Sequence, residues 1–209
     1  MSKTSTDEIV STLTRSIACR RLMPGTKLAE QQLANHFSVS RTIIRQALHK
    51  LSQKHLVRIE HSRGTFVATP SVEESKQIFE LRRMLEMGIV QELAQRIDSK
   101  DIEILKSYLE REHEAMPTYI DGFDGTEFLD NFQIFLTKIL NNDVLTNLLH
   151  ELTLRCSLVT LIYQSDRATL NTENYHDAII KALIDKDGVT ASNLTLRYLQ
   201  DVEATLVYY

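Results

Sequence analysis

The stretch from Val39 to Leu51 constrains the fold most, because it combines an apolar helical face with a polar and basic one. The apolar face comprises four residues at the spacing of one side of an α-helix, Ile44, Ala47, Leu48 and Leu51. The opposite face carries Thr42, Arg45, Gln46 and His49. Such a face suits insertion into the major groove of DNA, although a helix taken alone more often has a polar face that is simply solvated.

Ser40 and Arg41 are predicted to begin this helix. Serine is a favourable N-cap because its hydroxyl accepts a hydrogen bond from a backbone N–H of the first turn. Arg41 instead places a cation at the positive end of the helix dipole, which is unfavourable unless an anion lies nearby. A DNA phosphate would be such an anion.

The charge of the chain is divided unevenly along its 209 residues. Residues 1–70 hold 11 Lys and Arg against 4 Asp and Glu, a net charge of +7. Residues 71–209 hold 13 against 24, a net charge of -11, which together with the first part gives the overall -4. The two parts are therefore expected to have separate functions, and only the first is suited to phosphate binding.

The cysteines and the hydropathy of the sequence indicate where in the cell the protein is expected to be. Cys19 and Cys156 are far apart and match no metal or redox spacing, so we expect two reduced thiols. The first residues lack the apolar run of a signal peptide, and no later stretch approaches the roughly 20 apolar residues that span a bilayer. These features predict a soluble, cytoplasmic protein.

Two further helices are predicted before the basic one. Residues 6–21 have apolar residues four apart and a possible cap at Thr6, and Pro24 and Gly25 follow as helix breakers. Glu30 to Phe37 forms the second helix, and only a short turn separates it from the basic helix. Two helices joined so closely, the second of them basic, predict a helix-turn-helix.

The pattern after Leu51 changes to that of strands. Residues 56–60 and 65–67 are strand-like, and the turn between them carries His61, Arg63 and Gly64. This arrangement predicts a hairpin with a basic tip. A helix-turn-helix followed by such a wing is much more specific for DNA binding than either part alone.

Residues 6–69 resemble the winged-helix domain of the GntR family of bacterial transcription regulators. The matching segments are Leu33-Ala34, Val39-Ser40-Arg41-Thr42, Arg45-Gln46-Ala47-Leu48 and Arg63-Gly64-Thr65-Phe66-Val67. This sequence departs from the usual pattern at Ser38, where glycine is usual, at Ile43 and at Gln46. The resemblance implies DNA contacts by Gln31, Ser40, Arg41, Thr42, Arg45, His61, Arg63 and Gly64. Arg41 and Arg45 are the expected specificity residues, and Lys27, Lys50 and Arg58 are either phosphate contacts or ordinary surface charges.

Residues 70–209 are predicted to form a second, all-helical domain that follows a boundary at Ala68–Ser71. Its helices are expected near 72–98, 99–116, 126–141, 143–163, 172–186 and 189–207, with a loop at 117–125. The fold class is thus mainly α: a winged helix-turn-helix with a small β-hairpin, followed by a helical bundle. The core stripe of the first bundle helix is predicted to comprise Ile78, Leu81, Leu85, Ile89 and Leu93.

Four polar residues, Arg82, Gln133, His176 and Tyr198, fall on core-facing stripes of four different helices. Each taken alone is more often a satisfied core residue. Burying four unpaired polar groups costs about 1–3 kcal/mol each, so we expect them to converge on one another, on water or on a ligand.

This half resembles the FCD effector domain of FadR-type members of the same family. The resemblance is carried by residues 80–86, Phe132, Leu136, residues 142–145 and residues 176–182. The family commonly binds a divalent metal, and its ligand positions correspond here to Leu129, Gln133, His176 and Tyr198. Because only His176 is a strong ligand, the metal site is predicted to be lost, with no cofactor and a directly bound organic effector. Asp130 would supply a carboxylate to the metal site only if the alignment with the family's ligand positions shifted by one residue. Arg82 favours an anionic effector such as a carboxylate.

The sequence disfavours two other classes of function. His176-Asp177 is the dipeptide of the HD metal phosphohydrolases, but further metal ligands at suitable positions and a phosphate-binding loop are lacking, so no enzyme is predicted. A helical interaction protein without DNA binding is disfavoured by the wing. The prediction is a ligand-responsive regulator, with repression as the family default, that binds a short palindromic operator as a homodimer.

Overall fold

The computed structural model describes residues 5–115, 126–164 and 172–208, except the side chains of 114–115, 126–131 and 172–173. The elements in chain order are α1 (Thr6–Ala18), β1 (Lys27–Leu28), α2 (Glu30–Phe37), α3 (Arg41–Gln53), β2 (Val57–Glu60), β3 (Gly64–Val67), α4 (Val72–Arg96), α5 (Ser99–Ala115), α6 (Thr126–Ile139), α7 (Asp143–Tyr163), α8 (Thr172–Ile184) and α9 (Gly188–Ala204). The mainly helical fold class is confirmed. The predicted loop at 117–125 lies outside the described residues.

The chain divides into two compact units. The first contains residues 1–71 together with Leu154–Ile162 of α7, and the second contains the remainder. Leu158 is fully buried in the core of the first unit. The domain boundary at residue 70 stays a prediction.

The first unit is a winged helix whose core lies between its helices and a small sheet. Each apolar residue predicted for α3 is buried there, together with three residues of α1, Ile9, Leu13 and Ile17. The helix-turn-helix and the hairpin are therefore confirmed. Sequence patterns missed the strand β1, which pairs antiparallel with β3 and gives the sheet order β1-β3-β2. Two residues are too few for a period-two pattern to be recognised.

Side-chain caps begin several of the helices, and the cap of α1 differs from prediction. Ser5, not Thr6, caps α1, and it forms a capping box with Glu8. The cap lies one residue earlier than predicted because Ser5 and Glu8 satisfy two backbone N–H groups reciprocally. Asp98 accepts from the first turn of α5, and Asn142 does so for α7. Ser40 caps α3 as predicted.

Ser38 closes α2 in the left-handed conformation, with φ 54° and ψ 42°. This is the position at which the resemblance to GntR proteins leads one to expect glycine. A left-handed residue is needed here because only three residues separate Phe37 from the start of α3. The serine therefore adopts a backbone conformation that glycine would adopt with less strain.

The second unit is a helical bundle in which α4 packs on α6, α8 and α9. Ile78, Ile89 and Leu93 of the predicted α4 stripe are buried. Leu81 is 40% exposed, so its placement in the core was wrong, and Leu85 is only half-buried. Among the described helices, none combines the length and hydrophobicity needed to cross a lipid bilayer.

Candidate DNA-binding surface and effector site

The polar face of α3 borders a surface groove of about 530 Å³. The groove is lined by Thr42, Arg45, Gln46, His49, Lys50 and Gln53 from α3 and by Thr6 at the start of α1. Thr42 and Arg45, two of the residues predicted to bind DNA, thus face one solvent-accessible surface. Lys50 is held at its edge by Asp7, with Nζ 2.7 Å from Oδ1.

Glu30, the first residue of α2, holds both predicted specificity residues. Its carboxylate lies 2.9 Å from Nη2 of Arg41 and 2.8 Å from Nε of Arg45. The hydrogen bond from Arg45 is the main cause that lowers the pKa of Glu30, and the same bond raises the pKa of Arg45. The anion that Arg41 requires at a helix N-terminus is therefore supplied by the chain itself in the free protein.

Sequence reasoning did not find Glu30, because its partners lie 11 and 15 residues further along the chain. Arg41 and Arg45 remain more than half exposed despite this contact. Their guanidinium groups are thus oriented but accessible, which is the condition for exchanging a protein carboxylate for a DNA phosphate or base.

The remaining predicted residues of the helix-turn-helix are also at the surface. Gln31 donates from Nε2 to Oδ1 of Asn35, at 2.9 Å. The Ser40 hydroxyl accepts from the backbone N–H of Ile43, at 3.4 Å. Ser40 therefore has a structural role in starting α3 besides any contact with DNA.

The hairpin between β2 and β3 presents His61, Arg63 and Gly64 at its tip. Gly64 has φ 109°, a conformation that a residue with a side chain rarely adopts. Glu60 accepts from the guanidinium groups of both Arg58, at 2.6 Å, and Arg63, at 2.7 Å. The wing thus carries exposed cations around one partly buried carboxylate.

The second unit buries the four polar residues that sequence patterns singled out. Arg82, Gln133, His176 and Tyr198 are each no more than 5% exposed, which confirms their predicted burial. His176 is the centre of the best-defined cluster. Its ring stacks on Phe132 with centroids 3.9 Å apart, and the ring of Tyr198 lies 5.9 Å away.

Glu112 of α5 completes this cluster, and sequence reasoning missed it. Its Oε1 lies 2.6 Å from Nδ1 of His176, and the carboxylate is almost fully buried. The signal was present, because Glu112 follows the buried Leu105 and Tyr108 at helical spacing. A charged residue on an apolar stripe is the same signal that identified Arg82.

Several atoms of these buried groups have no hydrogen-bond partner among the described residues. They are Nε2 and Oε1 of Gln133, Nε2 of His176, and Oε2 of Glu86 and Glu112. Gln133 directly follows Phe132, whose ring touches His176. Unsatisfied polar atoms of this kind cost about 1–3 kcal/mol each unless something binds them.

Arg82 has a partner that weakens the argument for an anionic effector. Its Nε lies 2.6 Å from Oε1 of Glu86, and both side chains are buried. Burial, more than offsetting the attraction of Arg82, raises the pKa of Glu86. The guanidinium charge is thus already faced by a carboxylate of its own helix.

The His176-Asp177 pair does not form a metal site of the phosphohydrolase type among the described residues. Asp177 lies near the surface and contacts Nε2 of His113 at 3.1 Å, whereas His176 points inward to Glu112.

The donors around His176 also fit the family's metal poorly. Within the described ranges, no group of three or more His, Cys, Asp or Glu is placed to hold a metal ion. Gln133 and Tyr198 are weak ligands, and Glu112 is hydrogen-bonded to the imidazole. The side chains of Leu129 and Asp130 are outside those described, so the loss of the metal site stays a prediction.

Comparisons with known proteins agree with this architecture. Residues 5–67 match the model of the bacterial regulatory proteins of the gntR family, and residues 77–201 match that of the FCD domain. The Uxu operon regulator of Haemophilus influenzae is 29% identical over 87% of this chain and 74% of its own length. The galactonate operon transcriptional repressor of Escherichia coli is 27% identical over 94% of both.

Solved structures show the same fold. A GntR-type transcriptional regulator from Rhodococcus superposes with a TM-score of 0.80 at 24% identity, covering 95% of each chain. The two family models match segments in both units of this protein. The functions described for these relatives are regulatory and not enzymatic. The chain is a DNA-binding transcription regulator of the GntR family with a C-terminal FCD domain.

Proposed function

We propose that this regulator is a cytoplasmic repressor that binds a short palindromic operator as a homodimer and responds to a small organic effector. The observation that carries the proposal is the pairing of an exposed, pre-oriented arginine pair on α3 with a buried, partly unsatisfied polar cluster in the second unit. The first feature supports sequence-specific DNA binding, and the second supports ligand binding.

The proposed DNA contacts divide into two kinds. Arg41 and Arg45 contact base edges in the major groove, with Gln31, Ser40 and Thr42 positioning the helix on phosphates. His61, Arg63 and Gly64 contact the minor groove, where the glycine lets the backbone approach closely. Each bidentate arginine–guanine pair provides about 1–3 kcal/mol of discrimination, whereas phosphate contacts provide affinity without discrimination.

The effector is proposed to bind next to Gln133, His176 and Tyr198, with Arg82 as a further contact. The atoms left without partners are mainly acceptors: two carboxylate oxygens and one amide oxygen. Hydroxyl groups, which donate and accept, satisfy such a set best. We therefore propose a polyhydroxylated small molecule.

Galactonate, named in the description of one relative, combines several hydroxyls with a carboxylate. A sugar acid of this class would use its hydroxyls at the His176 cluster. Its carboxylate would have to compete with Glu86 for Arg82. The hydroxyls are therefore proposed to make the larger contribution to binding. The site is proposed to work without a metal, since the described residues supply too few strong donors.

The test combines thermal unfolding with operator binding. An operator is first selected from random duplexes with the purified protein. Galactonate and its uncharged analogue galactitol are then added, and both Tm and operator affinity are measured. An effector should raise Tm and change operator affinity by about 5- to 150-fold, which corresponds to a coupling of about 1–3 kcal/mol.

The variant Gln133→Leu separates an effector contact from a structural role. Leucine removes an amide without partners among the described residues, so the free protein should be as stable as wild type or more stable. The effector-induced shift in Tm should disappear. A variant that loses stability but keeps the full effector response would contradict the proposed site.

A further inference from the structure

The outer face of the three-stranded sheet carries a row of side chains that crosses all three strands. The register places Lys27 of β1 and Arg58 of β2 directly opposite Phe66 of the central strand β3. Thr65 and Val67, on either side of Phe66, are buried, so the row lies on the face that points away from the core. Both cations are exposed, and the aromatic ring between them is half-buried.

Lys27 is held against the wing by two contacts. Its Nζ lies 5.8 Å from the centroid of the Phe66 ring, and Cζ of Arg63 lies 5.9 Å from the same centroid. A Cβ atom added at Gly64 would lie 3.4 Å from Cε of Lys27, so the lysine side chain passes close beside the glycine. An aromatic ring attracts a cation that still remains in solvent. Lys27 is therefore part of the wing surface, although it precedes α2 in the sequence.

The cations of this surface differ in whether a carboxylate already faces them. Glu60 accepts from both Arg58 and Arg63. Lys27 has no ion-pair partner within the ranges that the structure describes. An anion that approaches either arginine competes with Glu60, whereas an anion that approaches Lys27 meets no such competitor. Of these three cations, Lys27 is the most readily available to a phosphate.

Lys27 also lies close to the residues that orient the recognition helix α3. It precedes Glu30 by three residues, and Glu30 holds Arg41 and Arg45. Three residues span at most about 11 Å. Lys27 is therefore near the arginines of α3 through β1 and in contact with the wing through Phe66. A sugar–phosphate backbone separates the major groove of DNA from the adjacent minor groove, so a protein that enters both grooves must cross that backbone.

We propose that Lys27 binds a phosphate of the DNA strand that separates the major groove read by α3 from the minor groove entered by the wing. The inference rests on the DNA contacts of the proposed function and adds one residue to them. Lysine presents a compact charge with three donors, which suits a phosphate oxygen. Such a contact provides affinity without reading a base. Lys27 thus fixes the position of the wing on the duplex while the arginines of α3 discriminate sequence.

The first experiment removes the charge but keeps the aliphatic chain beside Gly64. Lys27→Met in the full chain is measured by fluorescence anisotropy with the selected operator and an unrelated duplex at several salt concentrations. Affinity should fall about three- to tenfold for both duplexes, and the slope of log affinity against log salt should become shallower by about one. Lys27→Arg should stay within about twofold of wild type. Arg58→Met, on the other side of Phe66, is the matched control and should change affinity no more than about twofold.

A second experiment locates the phosphate. Operators are prepared in which one phosphate at a time is replaced by an uncharged methylphosphonate. Wild type should lose affinity at a phosphate between the bases read by α3 and the minor groove entered by the wing. Lys27→Met should be insensitive at that same phosphate, because the charge that interacts with it is already absent.

Three results would overturn the assignment of Lys27. They are wild-type affinity and salt slope in Lys27→Met, equal sensitivity of both proteins at every phosphate, and a loss confined to the operator with an unchanged slope. The last result would show that the lysine only shapes the wing. If Arg45→Ala and Arg63→Ala lose operator affinity while Lys27→Met does not, only this assignment fails. If all three variants bind as wild type does, the DNA contacts of the proposed function fail with it.

Discussion

Arg45 donates from Nε to Glu30, at 2.8 Å, although it is one of the two side chains expected to contact DNA bases. The same carboxylate accepts from Arg41, so a single acidic residue orients both guanidinium groups before DNA is present. It also offsets part of the positive charge that phosphates would meet. Glu30 thus has two effects on DNA binding that can be measured separately.

Glu30→Gln should lower sequence specificity while raising non-specific affinity. The amide orients the arginines less firmly, which weakens base contacts, but the removed charge strengthens phosphate attraction. We expect the ratio of operator to random-duplex affinity to fall several-fold and non-specific binding to depend more steeply on salt. Fluorescence anisotropy at several salt concentrations measures both. An unchanged ratio would show that Glu30 does not position the arginines.

The same substitution should alter stability in acid. Because the folded-state pKa of Glu30 is lowered from 4.5, its stabilising effect is complete above about pH 4.5 and is lost as pH falls through the lowered value. In Glu30→Gln this part of the acid destabilisation should be absent. Denaturant unfolding of both proteins between pH 3 and 6 provides the measurement, and parallel pH profiles would contradict the expectation.

The buried Glu86 should show the opposite pH dependence. Its pKa is raised by burial, so the folded state holds its proton more tightly, and its contribution to stability falls as pH rises from about 4.5 through the raised value. Glu86→Gln should remove this decline. Glu92→Gln is the control, since Glu92 pairs with Arg96 on the exposed side of the same helix. Equal pH profiles for the two variants would contradict the assignment.

The wing offers a matched pair of arginines. Arg58 and Arg63 both contact Glu60 and are both largely exposed, but only Arg63 lies at the hairpin tip. Arg63→Ala should reduce operator affinity about tenfold, whereas Arg58→Ala should reduce it no more than about twofold. Binding isotherms at one fixed salt concentration suffice. Equal losses of operator affinity would indicate that Arg58 contacts DNA as well as Arg63.

The two serine caps allow a test of local stability. Ser40→Ala and Ser5→Ala each remove a side-chain acceptor at a helix N-terminus. Each should lower the free energy of unfolding by about 0.5–2 kcal/mol. Only Ser40→Ala should weaken operator binding further, because α3 carries the predicted base contacts. Denaturant unfolding and anisotropy distinguish the two effects. Identical operator affinities in both variants would limit Ser40 to its capping role.

The features predicted correctly from sequence are those set by local periodicity. The buried face of α3 follows from four residues at helical spacing, and the hairpin follows from the turn at Gly64. Burial of Arg82 and His176 followed from the same periodicity. Such patterns indicate which side of a helix is apolar.

The features that were missed depend on distant partners. The contact of Glu30 with Arg45 and that of Glu112 with His176 join residues of separate helices. Leu81 was placed in the core because it has the right spacing, but no described element covers it. Periodicity cannot tell whether an apolar face meets its own chain or a second copy.

The most direct test of DNA recognition by α3 is the affinity of Arg45→Ala for the selected operator and for an unrelated duplex of equal length. Lys106→Ala is the control, because Lys106 is similarly exposed but lies on α5. We predict that Arg45→Ala loses about 5- to 150-fold for the operator, as expected for 1–3 kcal/mol, and only a few-fold for the unrelated duplex. Equal losses for both duplexes, or no loss for either, would contradict base recognition by Arg45.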